Sequence, residues 1–365
     1  MPGAAGSTPV TSMPMGARGR VHRAPLLLAG VLTVVVGVSG GAGVYFAADR
    51  QTNSVQRIAG PQADALADVL SANVGPAENY LIVGSDSRAN GDPDGNDDTT
   101  AGCDCSDTMM ILRRDPEHGA SILSLPRDLW VPIAGRDGAK AKLNSAFADG
   151  PDVLARTITD NFGIPINHYL EIDLAGFIKL VDEIGGVEVC FDYASRDSGS
   201  GLDVQPGCQN LQGPMALAYA RSRHLEEWRP DENGDYNWVP DNKNDLGRIE
   251  RQQHFIRLAA DKLLAEVTSN PLRLGDLLDA ATNVITFDDS IDVLEAGRAL
   301  ASAAADGLQT FSVPVERYQD EGQDALLMVD GPESDAVLDY FRGTGPEPPA
   351  PGTADTADSS TATAT

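Results

Sequence analysis

The chain alternates short apolar runs with polar stretches rich in Gly and Asp, and the runs follow two different periods. Residues 79–84 (NYLIVG) form a continuous apolar segment of strand length, the mark of a buried strand. Residues 106–112 and 121–125 repeat that pattern across a turn at 115–119. Residues 167–173 and 187–193 read as two more strands. Helical spacing appears at 151–161, stopped by Gly163, and at 174–184, closed by Gly185 and Gly186. The longest helix of the folded part runs from about residue 246 to 266, with Ile249, Phe255, Ile256, Leu258, Ala259 and Leu263 near one face. Helices at 271–283 and 292–305, a strand pair at 308–315 and 325–330, and a short helix up to Arg342 complete it, with 195–210 as loop and 213–220 as a short helix or turn. Strands alternating with helices predict an α/β fold: one domain, residues 78–342, with a central mixed sheet flanked by helices.

Outside this domain the pattern changes. Residues 25–48 contain no charged side chain, and about 20 apolar residues in helix span a bilayer. The run is long for the core of a secretory signal, so it reads as one N-terminal transmembrane helix. Residues 1–24 are a Gly/Ala/Ser/Pro-rich tail, 49–77 a polar spacer with a helix at 62–72, and 343–365 a Pro/Ala/Thr-rich tail disordered by composition. Arg18, Arg20 and Arg23 precede the apolar run and no basic cluster follows it. The expected topology is single-pass in the cell membrane, N-terminus cytoplasmic and domain extracytoplasmic.

Charge narrows the function classes. The 365 residues carry a formal net charge of −27, and the first 48 hold three arginines and no acid, so the remainder is more acidic still. Nucleic-acid binders present basic faces to phosphate, so nucleic acid is not the expected partner. Four cysteines, Cys103, Cys105, Cys190 and Cys208, are compatible with disulfides outside the membrane. Cys190–Cys208 would close a loop between neighbouring segments. Cys103–Cys105 would be strained, and cross-pairing of the two groups stays open. A zinc site lacks the usual ligand spacing.

Against that acidity, the arginines of residues 218–253 stand out. Arg221 and Arg223 would point to one side if extended. Arg248, Arg251 and Gln252 share one face of a helix that Asp245 could cap. Surface arginines are ordinarily solvated or in weak pairs, but two elements aiming several guanidiniums at one place would make an anion site. Asp86 and Asp107 lie at strand ends, as do Arg88 and Arg127. Paired carboxylates beside phosphate-binding arginines suit Mg²⁺, although turn and cap carboxylates are common in an acidic chain. No G-x-S-x-G, H-E-x-x-H or P-loop is present, and the five histidines are scattered, His224 beside Arg223 being the one of interest. Catalysis would then be positional and electrostatic, on a transferring phosphate.

The motifs NYLIVGSDSR, SDTMMIL, SLPRDLWV, KLNSAF, ALAYARSRH and DLGRIERQQ, in that order after an apolar segment, resemble the LytR-CpsA-Psr family over roughly residues 79–264. The resemblance implies a membrane-anchored phosphotransferase. It would move a glycopolymer from a polyprenyl-pyrophosphate carrier to peptidoglycan through a phosphodiester. It further implies Mg²⁺ on Asp86 and Asp107, pyrophosphate on Arg88, Arg127, Arg221, Arg223 and Arg251, and further motif positions at Lys142, Arg248 and Gln252. Arg88 would activate the acceptor hydroxyl, although a guanidinium stays protonated and is a poor base. One position departs from the family: Cys105 stands where a basic residue is common, after a long insertion at 91–102. The helices at 151–162, 174–184 and 248–264 are candidates for the walls of a lipid groove. A polyprenyl-pyrophosphate phosphatase and a non-enzymatic lipid-pyrophosphate scaffold are the rival readings. The polymer is not legible; arabinogalactan and teichoic acid-like polymers are candidates.

Overall fold

A computed structural model describes residues 55–73, 75–86, 106–270, 273–293, 296–297, 307–320 and 322–349. The expected transmembrane segment, Arg88, Cys103, Cys105, the 91–102 insertion and most of the 292–305 helix lie outside them. Among the described residues, no helix is long and apolar enough to cross a membrane.

Seven strands form the central sheet: β1 (Gln56–Arg57), β2 (Glu78–Ser85), β3 (Ser106–Asp115), β4 (Gly119–Leu125), β5 (His168–Asp173), β6 (Ile285–Phe287) and β7 (Leu308–Ser312), in the order β1-β6-β5-β2-β3-β4-β7. The sheet is mixed. β5 runs parallel to β2, and β7 parallel to β4, while β3 is antiparallel to both of its neighbours. Side chains alternate between faces. Leu81, Val83, Met109, Ile111, Leu123 and Leu125 enter one core with Leu66, Leu154, Ile158, Val337 and Phe341. Those residues come from helices α1 (Pro61–Ala67), α2 (Pro151–Phe162) and α7 (Pro332–Arg342). Tyr80, Met110, Leu112 and Ile122 turn to the opposite face, where Ile256 packs against them.

A third cluster lies between α3 (Leu174–Glu183), α4 (Gly213–Arg221) and α5 (Asn244–Ser269), around Val181, Tyr219 and Phe255. β5 runs straight into α3 because Asp173 ends the strand and caps the helix, accepting from the Gly176 N–H at 2.7 Å. Strands Val187–Phe191 and Gly207–Leu211 pair antiparallel, which sets Cys190 opposite Cys208, and those two are disulfide-bonded. This settles the pairing in favour of Cys190–Cys208.

Several expectations need correction. Residues 195–210 are not loop throughout, and the acidic segment after His224 also forms strands. Ser195–Asp197, Leu202–Val204, Glu226–Pro230 and Tyr236–Pro240 build a separate four-stranded sheet. These strands are three to five residues long and polar, so no apolar run announces them. The expected terminal strand pair is also different: β7 joins the central sheet, and Val315–Asp320 and Gln323–Met328 form their own hairpin. The spacer contributes β1 to the sheet edge and buries Leu66, and the helix in it is α1. In the tail read as disordered, Glu347 accepts from the Ser121 hydroxyl at 3.2 Å. Finally, α2 covers the first sheet face whereas α3 and α5 meet on the other side, so the three helices do not wall one groove.

Candidate functional site

Strand register builds the site. Ser85 is the partner of Ser106, and Leu125 of Met109. Asp86 therefore follows β2 at the same sheet end where Asp107 enters β3 and Arg127 follows β4. Asp173, paired with Ser85 across β2 and β5, marks the same end. These are the carboxyl ends of β2, β4, β5 and β7, the place where open α/β sheets bind ligands.

α5 brings the remaining charges to that end. Gln252 donates to the Thr108 hydroxyl at 2.9 Å and to the Ala220 carbonyl at 3.1 Å, fastening α5 to β3 and to α4. Arg248, 2% exposed, then lies 2.9 Å from Asp245 and 3.8 Å from Asp107. Arg127 is ion-paired with Asp107, and its Nε lies 3.6 Å from Asp128 and 3.9 Å from Asp245. Arg223 pairs with Asp245 at 3.2 Å, and Lys142 with Asp128 at 2.9 Å. Arg251 borders the group, bonded to Asp241 at 2.9 Å and to the Ser222 carbonyl at 2.7 Å. Gly247 makes room for that contact: a Cβ there would come within 2.9 Å of the Asp241 carboxylate and 3.1 Å of the Arg251 guanidinium.

The electrostatics have an identifiable balance. Burial pulls the Arg248 pKa down, and the neighbouring Arg127 and Arg223 act in the same direction against Asp245 and Asp107. Burial also acts to lower Arg127, but Asp107, Asp128 and Asp245 outweigh it and its pKa rises. The Nε atoms of Arg127, Arg223, Arg248 and Arg251 are buried without a hydrogen-bond partner. The same holds for Arg113, Arg114 and Arg273 outside the cluster, so it is the convergence of four guanidiniums that fits a site that takes an anion.

Of the residues singled out from the sequence, Asp107, Arg127, Lys142, Arg223, Arg248, Arg251 and Gln252 come together here, and Asp86 lies at the same sheet end. Two local expectations fail. Arg221 and Arg223 are not both extended: Arg221 is the last residue of α4, and the backbone extends at Ser222. Asp245 is not the cap of α5. The helix begins at Asn244 after Lys243, without a side-chain cap, because the Asp245 carboxylate is taken by Arg223 and Arg248.

The sequence reading missed Asp197, which is 2% exposed. Its Oδ2 accepts from the Ser222 hydroxyl and from the N–H groups of Arg223 and His224, each at 2.8 Å. It thereby stops α4 and sets the direction of Arg223. Burial works to raise the Asp197 pKa, but these donors and the Gly199 N–H overcome it and hold the carboxyl at about 2. Its local partner, the Gly199 N–H, marks only a turn, and the partners that tie Asp197 to the site are more than twenty residues away.

For a divalent cation, the described residues contain no group of three or more His, Cys, Asp or Glu side chains placed to hold one. Mg²⁺ commonly takes only one or two protein carboxylates and completes its shell with water and phosphate. Asp86 and Asp107 lie at the ends of neighbouring strands, and the Asp107 carboxylate is engaged by Arg127.

The LytR_cpsA_psr family model matches residues 44–340. The chain belongs to this family. Among LytR_cpsA_psr relatives, it is 31% identical over 274 residues to the probable cell wall biosynthesis protein LcpB of Corynebacterium glutamicum, covering 72% of this chain and 61% of LcpB. It is 35% identical over 215 residues to the polyisoprenyl-teichoic acid–peptidoglycan teichoic acid transferase TagU of Halalkalibacterium halodurans, covering 58% of this chain and 61% of TagU. The chain thus spans about three fifths of the length of these two relatives. The mixed sheet flanked by helices is the fold of the LytR-Csp2A-Psr enzyme from Actinomyces oris, with a TM-score of 0.58 and 25% identity over 79% of this chain and 95% of that one.

Proposed function

We propose that this chain transfers a glycopolymer from a polyprenyl-pyrophosphate carrier to peptidoglycan. The observation that carries this reading is the convergence of Arg127, Arg223, Arg248 and Arg251 at the carboxyl ends of the strands. A diphosphate offers acceptor oxygens in a geometry that guanidinium forks match. In the reaction, an acceptor hydroxyl oxygen bonds to the phosphorus that carries the glycopolymer. The bond from that phosphorus to the bridging oxygen breaks, polyprenyl phosphate leaves, and the hydroxyl proton passes to solvent. The product is a phosphodiester. Arg127, Lys142, Arg223 and Arg248 hold the diphosphate and offset charge on the equatorial and leaving oxygens. Arg251 and Gln252 fix α5 so that those groups stay in place. Arg221 and Arg88 belong to the same set by their motif positions.

Asp86 and Asp107 would hold Mg²⁺, which when bound supplies charge neutralisation at the diphosphate. The polyprenyl tail belongs on the half-buried apolar surface of Phe177, Met215, Leu258 and Leu263, beside α3, α4 and α5. Residues 25–48 serve as a single membrane-spanning anchor, cytoplasmic on the Arg18–Arg23 side, which keeps an extracytoplasmic domain near a lipid-linked donor.

The test uses the full chain in detergent with a lipid-linked glycan donor and peptidoglycan oligomers, with and without Mg²⁺, and mass spectrometry of the products. A phosphodiester-linked product that requires Mg²⁺ and disappears in Arg248→Ala supports the transferase. Phosphate release without linkage would replace it with the phosphatase, and donor binding without turnover would replace it with the scaffold.

A further inference from the structure

The hairpin Glu226–Pro230/Tyr236–Pro240 has no part in holding the diphosphate, yet its chemistry is distinctive. Aromatic residues make up 5% of this chain, and only three are Trp. Two of those, Trp228 and Trp238, are direct cross-strand partners here, and Pro230 is the partner of Tyr236. Alternation along each strand therefore sets Trp228, Pro230, Tyr236 and Trp238 on one face. That face is open: Trp228 is 42% exposed and Tyr236 60%.

The platform is braced by a neighbour on its own face, since Arg196 is the cross-strand partner of Glu226. The two indoles meet edge to face, with centroids 5.6 Å apart. The Arg196 guanidinium lies over the Trp238 ring at 4.0 Å and is itself held by Glu226 at 2.8 Å. Exposed aromatic rings fixed in this way present flat apolar surface at little entropic cost. On this face Glu226 is paired with Arg196, and Asp231, Glu232 and Asp235 around the hairpin turn leave the surroundings net acidic. Such a surface repels an anionic bilayer and suits a ligand with C–H faces and many hydroxyl donors, which describes a glycan chain.

Chain connectivity ties this platform to the diphosphate site. The foot of the hairpin is closed by the Asp241 N–H donating to the Leu225 carbonyl at 2.9 Å. Arg223 lies two residues before that foot, and Asp245 four residues after it. Trp228 stands three strand residues from Leu225, about 10 Å at 3.3 Å per residue. The donor is gripped through its charged diphosphate, whereas a peptidoglycan strand brings no phosphate to that site and needs a grip of another kind.

We infer that the Trp228/Tyr236 face of this hairpin is the docking surface for the acceptor, the glycan strand of peptidoglycan. The choice of acceptor over donor rests on the transferase reading, but glycan binding itself is testable without turnover. The experiment titrates the full chain in detergent, with no lipid-linked donor present, with soluble uncrosslinked glycan strands of N-acetylglucosamine and N-acetylmuramic acid. Isothermal calorimetry follows binding in the wild type, Trp228→Ala, Trp228→Phe and Tyr236→Ala. Expected is a loss of affinity of about tenfold for Trp228→Ala and several-fold for Tyr236→Ala, with Trp228→Phe largely retaining it. In the transfer assay the same variants raise KM for the acceptor and leave KM for the donor unchanged. Tyr236 is too exposed for its replacement to unfold the domain, which keeps the comparison interpretable. Unchanged strand affinity in both alanine variants would overturn the proposal, as would a rise in donor KM alone. Loss of binding to vesicles of phosphatidylglycerol with intact strand binding would also overturn it, in favour of a membrane contact. Strand binding by a wild type that performs no transfer would sink the transferase reading and leave the platform standing.

Discussion

Replacing Asp197 with Ala tests whether one buried carboxylate positions the Arg223 segment. The Asp197 Oδ2 accepts three hydrogen bonds of 2.8 Å, from the Ser222 hydroxyl and from the N–H groups of Arg223 and His224. Its Oδ1 accepts a fourth of 2.8 Å from the Gly199 N–H. An alanine leaves these donors without a partner in a region where Asp197 and Ser222 are buried. Each unsatisfied buried donor costs about 1–3 kcal/mol. They share one acceptor and some regain water, so the expected loss is roughly 3–5 kcal/mol rather than the full sum. Urea unfolding followed by far-UV circular dichroism measures it. The pH dependence supplies a second check. The folded-state pKa is depressed to about 2, against about 3.9 for an unperturbed Asp. The ionised carboxylate therefore contributes its full stability above the unfolded pKa and loses it as pH falls through the folded one. The gap between wild type and Asp197→Ala should be widest near neutrality and should narrow between about pH 4 and pH 2. A variant within about 0.5 kcal/mol of wild type, or a gap that does not change across that window, would refute the reasoning.

Three further perturbations bear on the same region. Asp245→Asn removes the carboxylate shared by Arg223 and Arg248; thermal melts should show a Tm several degrees lower without ligand and a larger upward shift on adding inorganic pyrophosphate, whereas a smaller shift would show that Asp245 assists binding. Gly247→Ala drives a methyl against the Asp241–Arg251 pair and should cost about 1–3 kcal/mol in urea unfolding, with weaker pyrophosphate binding by calorimetry. Opening the Cys190–Cys208 bridge, which spans 18 positions, by a double change to Ser should cost about 3 kcal/mol, and reductant should bring the wild type down to the variant while leaving the variant unmoved.

What the sequence made legible follows from the range of the forces involved. The buried strands β2, β3, β4 and β5 and the helices α2, α3 and α5 are visible because a packed sheet demands unbroken apolar runs and a helix demands its own period. Gly163 and Gly185, both with positive φ, end their helices as local stop signals should. The candidate site was legible through residue type, since clustered Arg in an acidic chain is unusual. What stayed hidden depends on long-range pairing. Asp197 acts on residues 25 to 27 positions away. The strands 195–197, 202–204, 226–230 and 236–240 are held by backbone pairing and by Trp–Trp contact, so their polar composition reads as loop. Asp245 looked like a helix cap because a cap and an ion-pair partner use the same side chain at the same place. In the structure the carboxylate instead accepts from Arg248 at 2.9 Å and lies 3.2 Å from Arg223, and a charge-assisted bond is stronger than one from a helix N–H.

That competition also explains how so many guanidiniums share one buried place. Arg127, Arg223 and Arg248 repel one another, and at Arg248 that repulsion adds to burial, the larger cause of its lowered pKa. Asp107, Asp128 and Asp245 offset the repulsion. The same carboxylates then stand where a diphosphate would bind. On the proposed reading, entry of the diphosphate would exchange one set of anionic partners for another, with no new desolvation of the arginines. The ligand must only be a better partner than Asp245, and a diphosphate, with more charge and more acceptor oxygens than one carboxylate, is. A ligand richer in oxygen than one carboxylate would offer these guanidiniums more acceptors than the resting pairs do. A monophosphate or a sugar carboxylate offers fewer oxygens and displaces the resting pairs less well. On this argument, selectivity for a diphosphate arises from the strength of the resting ion pairs as much as from the shape of the site.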